Sequence, residues 1–388
     1  MSGGLESPAL DGIANLTLRG KRGAVLEWDG IVAVSCPGLR IAGLAISYPP
    51  GRALDVSDCP GLVLEKLDIV VDADTAIHLE GCDGALLRRC SVRCQDDEAA
   101  LENASGADLV VERCSFEGGF DTGGMVLLSP SEDGASSDRT RFSKNRCRNS
   151  GIVCAGQDLV IDGNSVNQPH AIAIELGRYA PTARARVERN RIVQLRDDPP
   201  AGRRAMELFI DDSVVARNRV EGILDGGTSP VIDGVRLYGT GNLLEKNALE
   251  GADTGFDVSG DGNTLRDNRM LGGDAGIVTV GSDVIVEGNS VTPRLRGIAL
   301  FEGAGCSLAG NRVRGNPDLA FVIDVSDSAI SGNRLIGPAG IGFWLVGAGN
   351  TLTGNTALRC TLYDVSSEVP EAANTFVGNR FETFVFPE

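Results

Sequence analysis

The chain has 388 residues, 51 of them Gly, with 42% hydrophobic and only 5% aromatic residues. No run approaches the eighteen or so apolar residues that a membrane-spanning helix needs, and 36 Lys plus Arg against 53 Asp plus Glu leave a net charge of −17. That charge repels phosphate backbones and anionic bilayers over the whole surface, so neither nucleic acid nor membrane is expected as a partner.

The chain opens on Met1-Ser2-Gly3-Gly4, with no basic segment leading into an apolar stretch. A cytoplasmic location is expected, or a secreted or periplasmic one if a leader has been removed. Coil-like residues begin almost at once with Leu16, Leu18, Val25 and Leu26. The first coil would otherwise offer an open edge, so it is expected to be covered by irregular residues, a further domain or a second copy, and a homo-oligomer is one of the options.

A repeat dominates everything that follows. Glu287-Gly288-Asn289-Ser290, Ala309-Gly310-Asn311-Arg312, Ser331-Gly332-Asn333-Arg334 and Thr353-Gly354-Asn355-Thr356 recur every 22 residues. Traced backward, the Asn slot is filled by Asn268, Asn247, Asn218, Asn190, Asn164 and Asn145, then by Cys114, Cys90, Leu67 and Leu44, with Asn379 at the far end. Three residues before each landmark stands an apolar residue, from Ile41 and Leu64 to Leu352 and Phe376, and two residues after it another uncharged one, from Ile46 to Phe381. Two inward positions five apart cannot share one straight strand, whose inward side chains alternate, so a bend must separate them. Asn suits the bend because it tolerates left-handed backbone, and its amide can bond to the identical amide one coil away, which predicts an asparagine ladder. The Arg that often follows, as in Arg146, Arg191, Arg312 and Arg334, points outward by parity.

Short β-branched runs, Gly-rich corners and the absence of helical periodicity predict an all-β, single-stranded parallel β-helix. It would have about 15 or more coils of about 22 residues, built as one domain over 1–388. The repeat resembles that of the pectin-lyase-like superfamily, which includes polysaccharide lyases, polygalacturonases, uronan epimerases and periplasmic copper-system β-helix proteins, and the resemblance implies a right-handed parallel β-helix. The resemblance covers nearly the whole chain and speaks for fold far more than for chemistry.

The ten Cys read as reduced. Cys36, Cys59 and Cys82 are each 23 apart and stack as small core hydrophobes, and no CxxC pair suggests zinc.

The landmark spacing widens in the middle, giving insertions at 118–139, 178–186, 196–204 and 222–234. In solenoids such insertions gather on one face and often form the binding face. Beside them, one strand per coil carries an apolar alternation whose middle residue faces outward, as in Ile174-Glu175-Leu176, Met206-Glu207-Leu208, Val235-Arg236-Leu237 and Phe256-Asp257-Val258. A second such patch, Asp55, His78 and Glu102, lies nearer the start. Enzymes with this fold carry catalytic side chains on one outer sheet, which implies Glu207 and Asp257 as acid and base with His170 as a proton-transfer group. Arg236, Tyr238, Glu175, Arg178, Arg203 and Arg204 are the expected substrate contacts. Arg236 could instead neutralise both Glu207 and Asp257 as a plain ion-pair row.

Asp96-Asp97 looks like the paired-Asp segment of polygalacturonases, but Gly119-Phe120-Asp121 stands where that family has Gly-His-Gly. No cofactor is required by this reading, and calcium on Asp72, Asp74 and Asp96 is the alternative for those acids. The expected function is therefore carbohydrate processing, as a hydrolase or lyase, in a groove on the outer sheet of the middle coils. The alternatives are a non-catalytic β-helix binding or assembly module, which the scarcity of aromatics favours, and a biosynthetic enzyme using the same groove on a small molecule. The partner is a glycan or a small-molecule substrate.

Overall fold

The computed structural model describes residues 9–21, 23–27, 30–49, 51–72, 75–94, 99–118, 126–128, 137–167, 172–178, 180–194, 204–222 and 233–387. The chain forms two compact units, Met1–Arg196 and Asp197–Glu388. Each is a parallel β-helix in which every regular coil contributes strands to three sheets, here termed A, B and C.

In the first unit a coil runs, for example, from Leu54–Ser57 in sheet A through Val63–Glu65 in sheet B to Asp68–Val71 in sheet C. Each strand pairs in parallel with its counterpart one coil on, as Leu64 does with Leu87 and Ile69 with Val92. The period of the sequence thereby becomes vertical registry. The core is the stack of inward residues, including Ile41, Leu64, Leu87, Val111 and Phe142, all fully buried. The stretch 118–139 carries the strand Val126–Leu128, which continues sheet A between Leu101–Asn103 and Ile152–Cys154.

The second unit repeats the pattern with more regular coils. The N–H of Asn289 donates to Asn311 Oδ1 at 2.9 Å, and the N–H of Asn311 donates to Asn333 Oδ1 at 3.0 Å. The side-chain amides bond too, Asn289 Nδ2 to Asn311 Oδ1 and Asn311 Nδ2 to Asn333 Oδ1, both at 3.0 Å. The ladder continues through Asn247, Asn268 and Asn355, and in the first unit through Asn145 and Asn164. Cys114 takes part from its slot, its N–H donating to Asn145 Oδ1 at 2.8 Å.

Asn does not itself supply the left-handed bend, contrary to the expectation from sequence. That conformation belongs to the residue before it, such as Gly288, Gly310 and Gly332 at φ 66°, 63° and 62°, or Lys144 and Arg217 at 57° and 56°. Asn is selected by its amide, which in Asn311 takes part in four hydrogen bonds at once, and the turn is made by its neighbour.

A second ladder occupies the corner between sheets A and B. Ser213, Asn242 and Asn263 are linked there, as are Cys306, Ser328, Asn350 and Asn374. In the first unit the same kind of bond is made by stacked thiols, Cys36 N donating to Cys59 Sγ at 3.2 Å. All ten Cys are free, nine of them buried, as their spacing implied.

Candidate functional site

In the second unit, sheet A begins with the strands Arg204–Asp211, Asp233–Tyr238 and Thr254–Ser259. Their register places Glu207 opposite Arg236 and Arg236 opposite Asp257, so these three form one column on the outer face. At about 4.8 Å per strand, Glu207 and Asp257 are about 10 Å apart along it.

A bend in the same strands adds a second column. Ala205, Gly234, Gly255, Gly276, Gly297, Ala320 and Gly342 occupy equivalent places, each followed by a large core residue such as Met206, Val235 or Phe256. A Cβ on Gly234 would lie 2.7 Å from Leu249 Cδ1 and one on Gly276 2.9 Å from Val291 Cβ, so this small residue also faces inward. Two successive inward positions bring Arg204 and Asp233 round to the outer face, beside Glu207 and Arg236.

The result is a chain of ion pairs. Arg204 Nη1 lies 2.5 Å from Glu207 Oε1, and Arg204 Nε lies 3.6 Å from Asp233 Oδ2. Arg236 Nη2 is 3.1 Å from Asp233 Oδ2, and its Nε donates to Asp257 Oδ2 at 3.0 Å. Arg236 therefore joins Asp257 to Asp233, while the ion pair of Glu207 is with Arg204. Glu207 and Asp233 are 6% and 5% exposed, whereas the Asp257 side chain keeps 27% of its surface. Burial pushes the Asp233 carboxyl above the ordinary range; the guanidiniums of Arg236 and Arg204 oppose this and Asp257 adds to it. Burial disfavours the charge on Arg236, but Asp233 and Asp257 outweigh it and hold its pKa above the usual guanidinium value.

One step further along these strands Phe209 pairs with Tyr238 in register, and the rings stack at 5.1 Å with 13° between their planes. Tyr238 is 38% exposed. The outer face thus offers an aromatic surface next to a charged row.

Of the remaining expected residues, Glu175 lies on the sheet-A strand Ile172–Leu176 of the first unit, buried, with Arg178 Nη1 3.0 Å from its Oε1. His170 and Arg203 lie outside the described residues, as do Asp74, Asp96 and Asp97. The earlier patch is assembled: His78 pairs in register with Asp55 and Glu102, and His78 Nδ1 sits 2.9 Å from Asp55 Oδ1. Sequence reading missed Asp233 and Phe209. Phe209 follows from simple alternation after Glu207, but Asp233 needs the bend, whose one signal is the Gly or Ala placed before each large core residue.

This architecture is a parallel β-helix. A family model described as periplasmic copper-binding protein (NosD) matches residues 206–384. No curated protein matches. Among solved structures, the chain is similar to the alginate lyase AlyF-OU02 in complex with G6, at 11% identity over 94% of this chain and 89% of that one, TM-score 0.49. It is also similar to the Streptococcus pneumoniae surface protein and adhesin PfbA, at 9% identity over 82% and 91%, TM-score 0.46. The periplasmic alginate epimerase AlgG aligns at 11% identity over 91% and 78%, TM-score 0.36.

Copper finds little to bind it in the matched stretch. That stretch contains no His, its two Cys are Cys306 and Cys360, and Met206 and Met270 are fully buried in the core. Among the described residues no group of three or more His, Cys, Asp or Glu is arranged to hold a metal ion. Copper prefers imidazole and soft sulfur ligands, so this donor set does not fit it.

Proposed function

We propose that the outer face of sheet A over Arg204–Asp211, Asp233–Tyr238 and Thr254–Ser259 binds a glycan and carries out acid/base chemistry on it, as a hydrolase or lyase. The observation that carries this reading is one guanidinium, Arg236, set between two carboxyls in unlike surroundings: Asp233, buried and biased toward its protonated form, and Asp257, open to solvent. A carboxyl kept protonated by burial is the usual means of holding an acid in such a site. Asp233 supplies the proton and Asp257 accepts one. Glu207 lies two strands from Asp257, near the wide end of the separations that leave room for a water. Tyr238, backed by Phe209, stacks on the sugar, and Arg204 is fixed by Glu207 as a contact to its hydroxyl or carboxylate groups.

A second reading is favoured by a different observation, that Arg204 and Arg236 engage all three carboxylates in ion pairs. A non-catalytic binding module would need no more. Asp233→Asn, Asp257→Asn and Glu207→Gln are to be compared with the parent on a panel of uronate and neutral oligosaccharides. Loss of turnover by about 10²-fold or more in the Asp variants, with binding retained, is expected of the enzyme. Binding without turnover by the parent establishes the module, and neither binding nor turnover on any glycan removes both readings.

A further inference from the structure

The corner between sheets B and C of the first unit carries a feature that the sheet-A site does not use. Its turn residue, the one before each ladder slot, adopts φ of 54° at Lys66, 54° at Arg89, 56° at Arg113 and 57° at Lys144. This is the left-handed region, which Gly enters freely and a side chain enters at a cost. The equivalent residues late in the second unit are Gly288, Gly310, Gly332 and Gly354. Four successive coils therefore keep a strained cation where Gly would serve the turn better, and strain that is retained is a reason to look for function. The chain has only four Lys, and Lys66, Lys144 and Lys246 all hold this position.

Lys66, Arg89, Arg113 and Lys144 are exposed. Arg89, Arg113 and Lys144 make no ion pair among the described residues. At the N-terminal end of the row lies a groove of about 590 Å³. In its outer column, Arg19, Ala42, Glu65 and Arg88 follow one another coil by coil, and the short Ala42 leaves a gap between longer neighbours. Glu65 is 7% exposed and sits beneath three cations, with Arg40 at 2.6 Å, Arg88 at 3.1 Å and Lys66 at 3.8 Å. Arg88 Nε is buried without a hydrogen-bond partner, an unused donor in the lining. Acids stand in the flanking columns as well, Glu65, Glu112, Asp162 and Glu188 in sheet B and Asp68 in sheet C, yet the turn positions themselves carry four cations on successive coils in a chain whose net charge is −17.

We infer that this corner of the first unit is a binding track for a linear polyanion, and that its ligand is an acidic oligosaccharide bearing one carboxylate or sulfate on each sugar. The spacing selects the ligand. One cation per coil repeats at about 4.8 Å, close to the length of a single sugar in an extended chain, whereas phosphates in a duplex strand repeat at about 3.4 Å. The groove beside Arg19, Arg40 and Arg88 receives the end of the chain.

The test uses the full chain and calorimetric titration with a hexameric oligouronate, a neutral glucose hexamer and a polyphosphate of matched charge. The variant is Arg89→Gly, Arg113→Gly and Lys144→Gly together, which removes three charges and relaxes three strained turns. The parent is expected to bind the oligouronate with an affinity that falls as salt is raised. The variant is expected to bind it at least tenfold more weakly while melting no lower than the parent. Unchanged affinity in the variant overturns the track, as does equal or tighter binding of the neutral hexamer or of polyphosphate. Arg236→Gln separates this site from the one on sheet A: if it abolishes oligouronate binding and the triple variant does not, the ligand belongs to sheet A and the track is refuted.

Discussion

Asn311 donates from Nδ2 to Asn333 Oδ1 at 3.0 Å and to Val286 O at 2.7 Å, while its own Oδ1 accepts the N–H of Asn289 at 2.9 Å. One buried side chain thus satisfies groups on the coils to either side. Asn311→Ala leaves a buried N–H and a buried C=O without partners, at about 1–3 kcal/mol each. A loss of about 2–6 kcal/mol is expected by urea unfolding. Asn311→Ser should lose less, because Ser328 in the second ladder accepts the N–H of Cys306 at 2.9 Å and so shows that a hydroxyl can fill part of this role. Equal stability of Asn311→Ala and the parent would show that the ladder is ornamental.

Two glycines of the same unit should respond to Ala to different degrees. A Cβ on Gly297 would stand 2.1 Å from Ala320 O and 2.9 Å from both methyls of Val313. Backbone cannot yield there without disturbing the sheet-A register, and the cost of such overpacking is typically about 1–3 kcal/mol or more. Gly310 has open space around it and only its φ of 63° to protect, so Gly310→Ala costs about 1–2 kcal/mol from backbone strain alone. Urea midpoints are expected to fall further for Gly297→Ala, and the reverse order would contradict the inward direction assigned to that column.

The repeat was legible because its signal is one-dimensional: apolar residues fixed at −3 and +2 from a landmark can satisfy only a bent coil, and Leu64, Leu87 and Val111 do stack as that requires. The second ladder was hidden because its slot is shared by Ser213, Asn242, Cys306 and Ser328, which look unrelated until their hydrogen bonds are seen. Strand parity aligns Glu207, Arg236 and Asp257 in one column, as their register has it, but Glu207 is buried and not open to solvent as parity alone implies. What parity could not supply is Asp233. It sits three residues before Arg236, an odd separation that strict alternation sends to the opposite face, and it returns to the outer face only because Gly234 lets the strand turn twice inward. Which side chains pair across coils also escapes the sequence, since Arg236 had Glu207 and Asp233 equally within reach.

The core thiols are expected to be inert while the protein is folded. Burial pushes Cys82 up to about 11 and Cys147 up to about 12. At pH 8 a thiol of the first kind is thiolate in about one part in a thousand, and it is the thiolate that reacts. Native protein treated with iodoacetamide at pH 8 should therefore leave Cys82, Cys147 and Cys154 unmodified, as read by peptide mass mapping. Brief exposure to urea should open all three together. Rapid labelling of Cys82 in the native state would mean that the thiol stack of Cys36, Cys59 and Cys82 is not sealed in the core.

The raised carboxyl of Asp233 has a consequence for stability with a definite sign. Burial makes the folded state hold the Asp233 proton more tightly than the unfolded chain, where an Asp titrates near 3.9. As pH rises from that value through the higher folded pKa, the folded state gives up its proton less readily, so the parent loses stability relative to a variant that cannot ionise. Asp233→Asn is nearly isosteric with the protonated acid. Its melting temperature relative to the parent should therefore be lowest near pH 3 and rise across the acidic range to a plateau once Asp233 is ionised in both states. The opposite trend, with the parent gaining on the variant as pH rises, would mean that Arg236 and Arg204 outweigh burial, that Asp233 is held ionised, and that the proton donor of the sheet-A site must be sought elsewhere.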